Sequence, residues 1–96
     1  MRHAIVAAIA ALILAVVGPV SADEGFQPGI DLPGYDYRGI TLSRPRLCQA
    51  ACENDDRCRA WTFVRVGVLG PLSSCWLKSG VSGQPRPDAC CVSGRR

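Results

Sequence analysis

Six cysteines, Cys48, Cys52, Cys58, Cys75, Cys90 and Cys91, stand in a 96-residue chain whose only histidine is His3. What those thiols do constrains the fold more than any other feature. Three of them fall within "LCQAACENDDRCRAW", residues 47–61, in the spacing C-x3-C-x5-C. They can serve catalysis, a metal or covalent stapling, and the compartment bears on which.

The N-terminus speaks to the compartment. Arg2 supplies a positive charge, Ala4 to Val17 is an unbroken apolar run of 14 residues, and Gly18-Pro19 breaks any helix. Val20-Ser21-Ala22 is a small-residue site, followed by acidic Asp23 and Glu24. That order reads as a cleavable secretory signal over residues 1–22, cut after Ala22. The alternative is an uncleaved anchor, but the run falls short of the ~20 residues that span a bilayer. No cysteine stands directly after the cleavage site, which argues against a lipoprotein anchor. The expectation is a secreted or periplasmic protein with no stable membrane span after signal cleavage. Cleavage leaves 74 residues, one small domain. Domains of this size commonly need staples, and an oxidising compartment supplies disulfides.

Without Arg2 the chain has ten basic and eight acidic residues, a net charge of +2. The charges are scattered, so nucleic acid is not an expected partner. No cofactor is expected either.

Asp23 to Gly34 is rich in Gly, Pro and Asp and reads as an irregular lead-in over 23–34. Tyr35 to Leu42, "YDYRGITL", favours an extended strand, with Gly39 as a bulge. Ser43 can cap a helix whose first turn holds Pro45 and whose body runs from Arg44 to Asn54. Cys48 and Cys52 then lie one turn apart on the same helical face. Cys58 to Val66 reads as a strand. Its alternation puts Cys58, Ala60, Thr62 and Val64 on one face, with Arg59, Trp61, Phe63 and Arg65 on the other. Gly67 to Ser74 is a loop, and Cys75 to Ser79 is a second strand with Cys75 and Leu77 opposed to Trp76 and Lys78. Gly80 to Asp88 is a loop, and a short "ACCVSG" closes the domain ahead of a basic tail, residues 95–96. The fold class is α+β: one α-helix packed on a small, disulfide-stapled antiparallel sheet.

Zinc sites usually take C-x2-C spacings, often with histidine, and neither is present in the mature part. A nucleophilic thiol needs a neighbouring base, and without histidine neither a Cys–His pair nor a Ser-His-Asp arrangement can form. No catalytic residues and no metal site are therefore expected, and Asp55-Asp56 reads as a helix end. Staples remain. A helix across the sheet can send one bond to each strand, which favours Cys52 with Cys58 and Cys48 with Cys75. The loops closed, about 7 and 28 residues, correspond to roughly 2.4 and 3.6 kcal/mol.

The helix with C-x3-C, followed by "CRAW" and "CWLK" and closed by "CCVSG", resembles the PAN/apple domain family, most of all the short PAN domains of secreted bacterial proteins. The resemblance covers about Gly29 to Gly94, within a domain expected over residues 35–94. It implies the same pairs, Cys48–Cys75 and Cys52–Cys58. Many apple domains join their termini by a third bridge, which cannot form here because no cysteine precedes Cys48. Cys90 and Cys91 are left to bond to each other, to bond to another chain, or to take some other arrangement.

If Cys58 and Cys75 face the helix, then Arg59, Trp61, Phe63, Arg65, Trp76 and Lys78 share the other sheet face. Aromatics interleaved with cations can form a ligand surface. In the competing reading, Trp61 and Phe63 are core, covered by the lead-in and loops. The resemblance implies a non-catalytic module that binds protein or carbohydrate. The alternative is a small inhibitor or accessory subunit of an envelope or extracellular enzyme such as a protease. A hydrolase is disfavoured by the missing histidine.

Overall fold

Proline fixes where the helix starts. The residue before a proline is pushed to extended backbone, and Arg44, at φ −145° and ψ 149°, occupies the N-cap of α1 (Pro45–Glu53) with no side-chain capping bond. The cap expected at Ser43 is thereby displaced by one residue. At the other end the Asn54 N–H donates to the Ala50 carbonyl at 3.0 Å. The computed structural model describes residues 24–81 and 83–96; the signal expected over 1–22 lies outside the described residues.

Among the described residues five strands accompany α1: β1 (Gln27–Asp31), β2 (Asp36–Ile40), β3 (Ala60–Val64), β4 (Ser74–Lys78) and β5 (Arg86–Arg95). They form one sheet in the order β1-β5-β3-β4-β2, and the paired strands run antiparallel. A helix packed on an antiparallel, disulfide-tied sheet is the α+β architecture the sequence led us to expect.

The lead-in over 23–34 is not irregular throughout. Gln27–Asp31 forms a strand because β5 supplies hydrogen-bond partners along it. Composition alone hid this, since Pro28 and Gly29 sit where the register shifts between Pro28 and Ile30. Gly29 takes φ +76° there, a backbone that glycine adopts at little cost. In β2 the register shift falls between Asp36 and Arg38, not at Gly39. Gly39 instead makes room for a ring. It pairs with Trp76, and a Cβ at Gly39 would lie 2.8 Å from the indole.

The basic tail is also part of the fold. Arg95 belongs to β5. Arg96 donates from its backbone to the Arg59 carbonyl, and from Nη1 to the carbonyls of Cys52, Asp55 and Cys58. These are carbonyls at and just beyond the C-terminus of α1, where a cation is electrostatically favoured.

The core lies between α1 and one face of the sheet. Phe63 stands opposite Cys75 and Trp61 opposite Leu77 across the β3–β4 pair, so all four share that face. They pack with the half-cystines Cys48, Cys52 and Cys58. Disulfides join Cys48 to Cys75, which ties α1 to β4, and Cys52 to Cys58, which closes the turn after the helix. Phe26 covers Trp61 with ring centroids 5.7 Å apart, and Arg46 lies 3.6 Å above the Phe26 ring. Gln49 Nε2 fixes the segment by donating to the Gly25 carbonyl at 3.0 Å.

The other sheet face is shaped by a crossover. β1 and β2 are the two edge strands, yet residues 32–35 are all that joins them. This connection has to pass over the sheet, and it does so on the face away from α1. Leu32, fully buried, donates its N–H to Thr62 Oγ1 on central β3. Lys78 Nζ on β4 donates to the Gly34 carbonyl at 3.1 Å. Thr62 and Ser93 share a hydrogen bond of 2.8 Å, and Ser93 Oγ donates to the Ile30 carbonyl. Thr62, Ser93 and Lys78 are thus partnered, as burial requires, whereas the buried Oε1 of Gln27, opposite Ser93 in the β1–β5 register, has no hydrogen-bond partner.

Candidate functional site

The strap formed by 32–35 leaves a groove beside it. Thr62, Val64 and Trp76 form its floor on β3 and β4, and Asp31, Pro33, Gly34 and Asp36 form one wall. Val68 and Leu69 from the β3–β4 loop, with Cys90 and Cys91, form the other; the cavity holds about 340 Å³. Cys90 and Cys91 are joined in a vicinal disulfide, so the sulfurs present an apolar wall in place of two thiols. Asp88 Oδ1 accepts from the Cys90 N–H at 2.9 Å, and the Arg65 N–H donates to the Cys90 carbonyl, which holds this corner in place.

Three charged groups sit at the groove. Lys78 is 3% exposed, and its ammonium meets Asp36 Oδ1 at 2.5 Å. Asp36 itself is half exposed. Asp31 pairs with Arg86 at 3.5 Å. The groove therefore presents carboxylate oxygens and a backbone carbonyl next to the indole of Trp76, with its one buried cation already neutralised.

The six residues expected to form one ligand surface are not brought together. Trp61, 1% exposed, and Phe63, 6% exposed, lie in the core beneath α1. Trp76 and Lys78 are on the opposite face, at the groove. Arg59 precedes β3, is exposed and donates to the Asp56 carbonyl; Arg65 follows β3, is exposed and donates from Nε to the Ala89 carbonyl. The expectation was inverted on β3 and correct on β4. β3 begins at Ala60, so Cys58 lies in the preceding turn and its direction is not set by strand alternation. The side chains that join Cys75 beneath the helix are those opposite it in register, Phe63 and its neighbour at i−2.

Sequence reasoning missed Asp31, Asp36, Thr62 and the strap. Only the register could reveal them: Asp36 stands directly opposite Lys78 in the β2–β4 pair, a cross-strand ion pair between residues 42 positions apart. Among the described residues no group of three or more His, Cys, Asp or Glu side chains gathers within reach of a metal ion.

On the helix side, at the turn after α1, Arg57 lies 4.4 Å above the Tyr37 ring. Burial pushes the Tyr37 phenol above its ordinary range, and the nearby Asp55 carboxylate adds to this. The Arg57 backbone N–H, donating to Asp55 Oδ1 at 3.0 Å, holds the Asp55 carboxyl below the usual carboxylate range.

No curated protein matches the chain. A family model described as PAN domain matches residues 30–78. The match runs from the end of β1 to the end of β4 and takes in the disulfides Cys48–Cys75 and Cys52–Cys58, the helix and the strap. Covering half of the sequence and the whole covalent frame of helix on sheet, it places this chain in the PAN domain family.

Proposed function

We propose that this protein is an exported, non-catalytic PAN module that holds a carbohydrate or protein ligand in the groove between the 32–35 strap and the vicinal disulfide. PAN domains are in general protein- or carbohydrate-binding modules. Three disulfides among the described residues suit an oxidising, extracytoplasmic setting.

One observation carries the reading: Trp76 lines a concave site of about 340 Å³ whose rim holds Asp31, Asp36 and the Gly34 carbonyl. Ligand sites combine apolar or aromatic walls with a few placed polar groups. A sugar ring offers a C–H face to an indole and hydroxyls to carboxylates, so carbohydrate is the better-matched class. Catalysis has no support here, because the chain after residue 22 has no histidine.

The test is a glycan and envelope-protein binding screen on the oxidised protein, repeated with Trp76→Ala and Trp61→Ala. Trp76→Ala is expected to fold and to lose the ligand, whereas Trp61→Ala loses the fold. A Trp76→Ala protein that binds like the parent removes the groove from consideration. Stoichiometric capture of a single envelope enzyme, with no glycan retained, supports the inhibitor or accessory-subunit reading in its place.

A further inference from the structure

The β3–β4 loop faces water with side chains that water does not favour. Its seven consecutive residues from Val66 to Leu72, "VGVLGPL", contain no polar side chain. Val66 is 58% exposed, Leu69 63% and Leu72 62%. Across a second, largely aliphatic cleft of about 500 Å³, Leu47 of α1 extends the same apolar surface. Scattered exposed aliphatics need no account, but a contiguous patch does.

We propose that this loop is an interfacial anchor that seats the protein on a bilayer containing anionic phospholipid. Two features favour a bilayer over a protein partner. The loop closes backbone bonds on itself, Gly67 N–H to the Gly70 carbonyl at 2.9 Å and Val68 N–H to the Arg65 carbonyl, and Pro71 has no N–H to satisfy. Its tip also lacks any side-chain donor or acceptor, which a specific protein interface uses for register and a hydrocarbon phase does not.

Charge selects the headgroup. Arg65 directly precedes the loop, and Arg44 stands three residues before Leu47 in the chain. The sequence has no Asp or Glu from Tyr37 to Cys52 or from Arg57 to Pro87. Aliphatic residues bordered by arginines are the composition of a surface that binds anionic interfaces. The loop also gives Val68 and Leu69 to the wall of the groove, so the test variants are placed at Val66 and Leu72, which line the second cleft instead.

The experiment is co-sedimentation of the oxidised protein, in the form its host exports, with vesicles of phosphatidylcholine alone or of phosphatidylcholine and phosphatidylglycerol in equal parts. Phosphatidylglycerol should tighten partitioning by about tenfold or more, and salt should weaken it. Val66→Asp/Leu72→Asp should abolish the gain while leaving the circular dichroism of the parent, and any N-terminal apolar segment is common to both proteins. A Leu72→Trp reporter should shift its emission to the blue on these vesicles and be quenched by brominated acyl chains. Equal binding to both vesicle types, undiminished binding of the double variant, or an unshifted reporter would overturn the proposal.

Discussion

Arg96 Nη1 donates to the carbonyl of Cys52 at 3.0 Å and to that of Cys58 at 3.3 Å, so the C-terminus of α1 is closed by a residue 44 positions beyond Cys52. A nine-residue helix leaves its last carbonyls unpaired within the helix; this guanidinium adds a charged donor to the Cys52 carbonyl, which also accepts from the Asp55 N–H, and it opposes the helix dipole. Arg96→Ala is expected to cost about 1–2 kcal/mol, with Tm falling by about 4–8 °C for each. Arg96→Lys should fall between, keeping the charge and losing the fork. An unchanged Tm for the alanine variant removes the capping role.

Arg96 also shows why part of the fold was legible in the sequence and part was not. Features set by nearest neighbours were readable: the Cys48–Cys52 stripe at helical spacing, Pro45 at the helix start, and the Cys75/Leu77 against Trp76/Lys78 alternation of β4. Features set by partners far along the chain were not. β1 exists because β5 pairs with it, Arg95 and Arg96 are ordered by β3 and α1, and Thr62, Ser93 and Lys78 are buried because a strap crosses above them. The inverted face of β3 has a local cause: the alternation was counted from Cys58, which lies two residues before the strand starts.

Gly94 stands opposite Trp61 in the β3–β5 pair, and a Cβ there would come within 2.6 Å of the indole Nε1. It would lie closer still to the Gly25 backbone carbonyl oxygen, so the conflict is with backbone and a buried ring, not with the end of a mobile side chain. Gly94→Ala is expected to destabilise by about 1–3 kcal/mol through overpacking and to alter the near-UV circular dichroism of Trp61. A variant with parental stability and spectrum shows that the ring has room to move.

The two disulfides that frame the helix close loops of different length, with sequence separations of 27 and 6. Loop entropy assigns roughly 3.6 kcal/mol to Cys48–Cys75 and 2.4 kcal/mol to Cys52–Cys58. Replacing each pair with alanine should therefore lower the urea midpoint more for Cys48/Cys75 than for Cys52/Cys58. The reverse order indicates that the tight turn after α1, and not the α1–β4 tie, dominates.

Stability should fall at both extremes of pH through the Tyr37–Asp55–Arg57 cluster. The Tyr37 phenol titrates above its ordinary value near 10 in the folded protein. Its contribution is present at neutral pH and is lost as pH rises through the folded value. The Asp55 carboxyl titrates below its ordinary value near 3.8. Its contribution is present above that value and is lost as pH falls through the lower folded one. Tyr37→Phe is expected to flatten the alkaline limb of Tm against pH, and Asp55→Asn the acid limb. Limbs of unchanged slope in the two variants would falsify the assignment.

Lys78 presents the sharpest contrast between removing one charge and removing two. Its ammonium is 3% exposed and rests on Asp36 and the Gly34 carbonyl. Asp36→Ala leaves a buried cation with one neutral partner. Breaking a fully buried pair costs about 3–5 kcal/mol. Asp36 is 44% exposed, so water screens the pair, and about 1–3 kcal/mol is expected here. Lys78→Met keeps the stem packed against the sheet and leaves only a half-exposed carboxylate, which water solvates. Asp36→Ala should therefore be the less stable single variant, and adding Lys78→Met to it should recover part of the loss in urea unfolding. Because Lys78 also holds the strap at Gly34, variants with Lys78→Met should show faster amide exchange at residues 32–35 even where global stability recovers. A double variant no more stable than Asp36→Ala would mean that the strap contact, rather than the buried charge, sets the energetics of this corner.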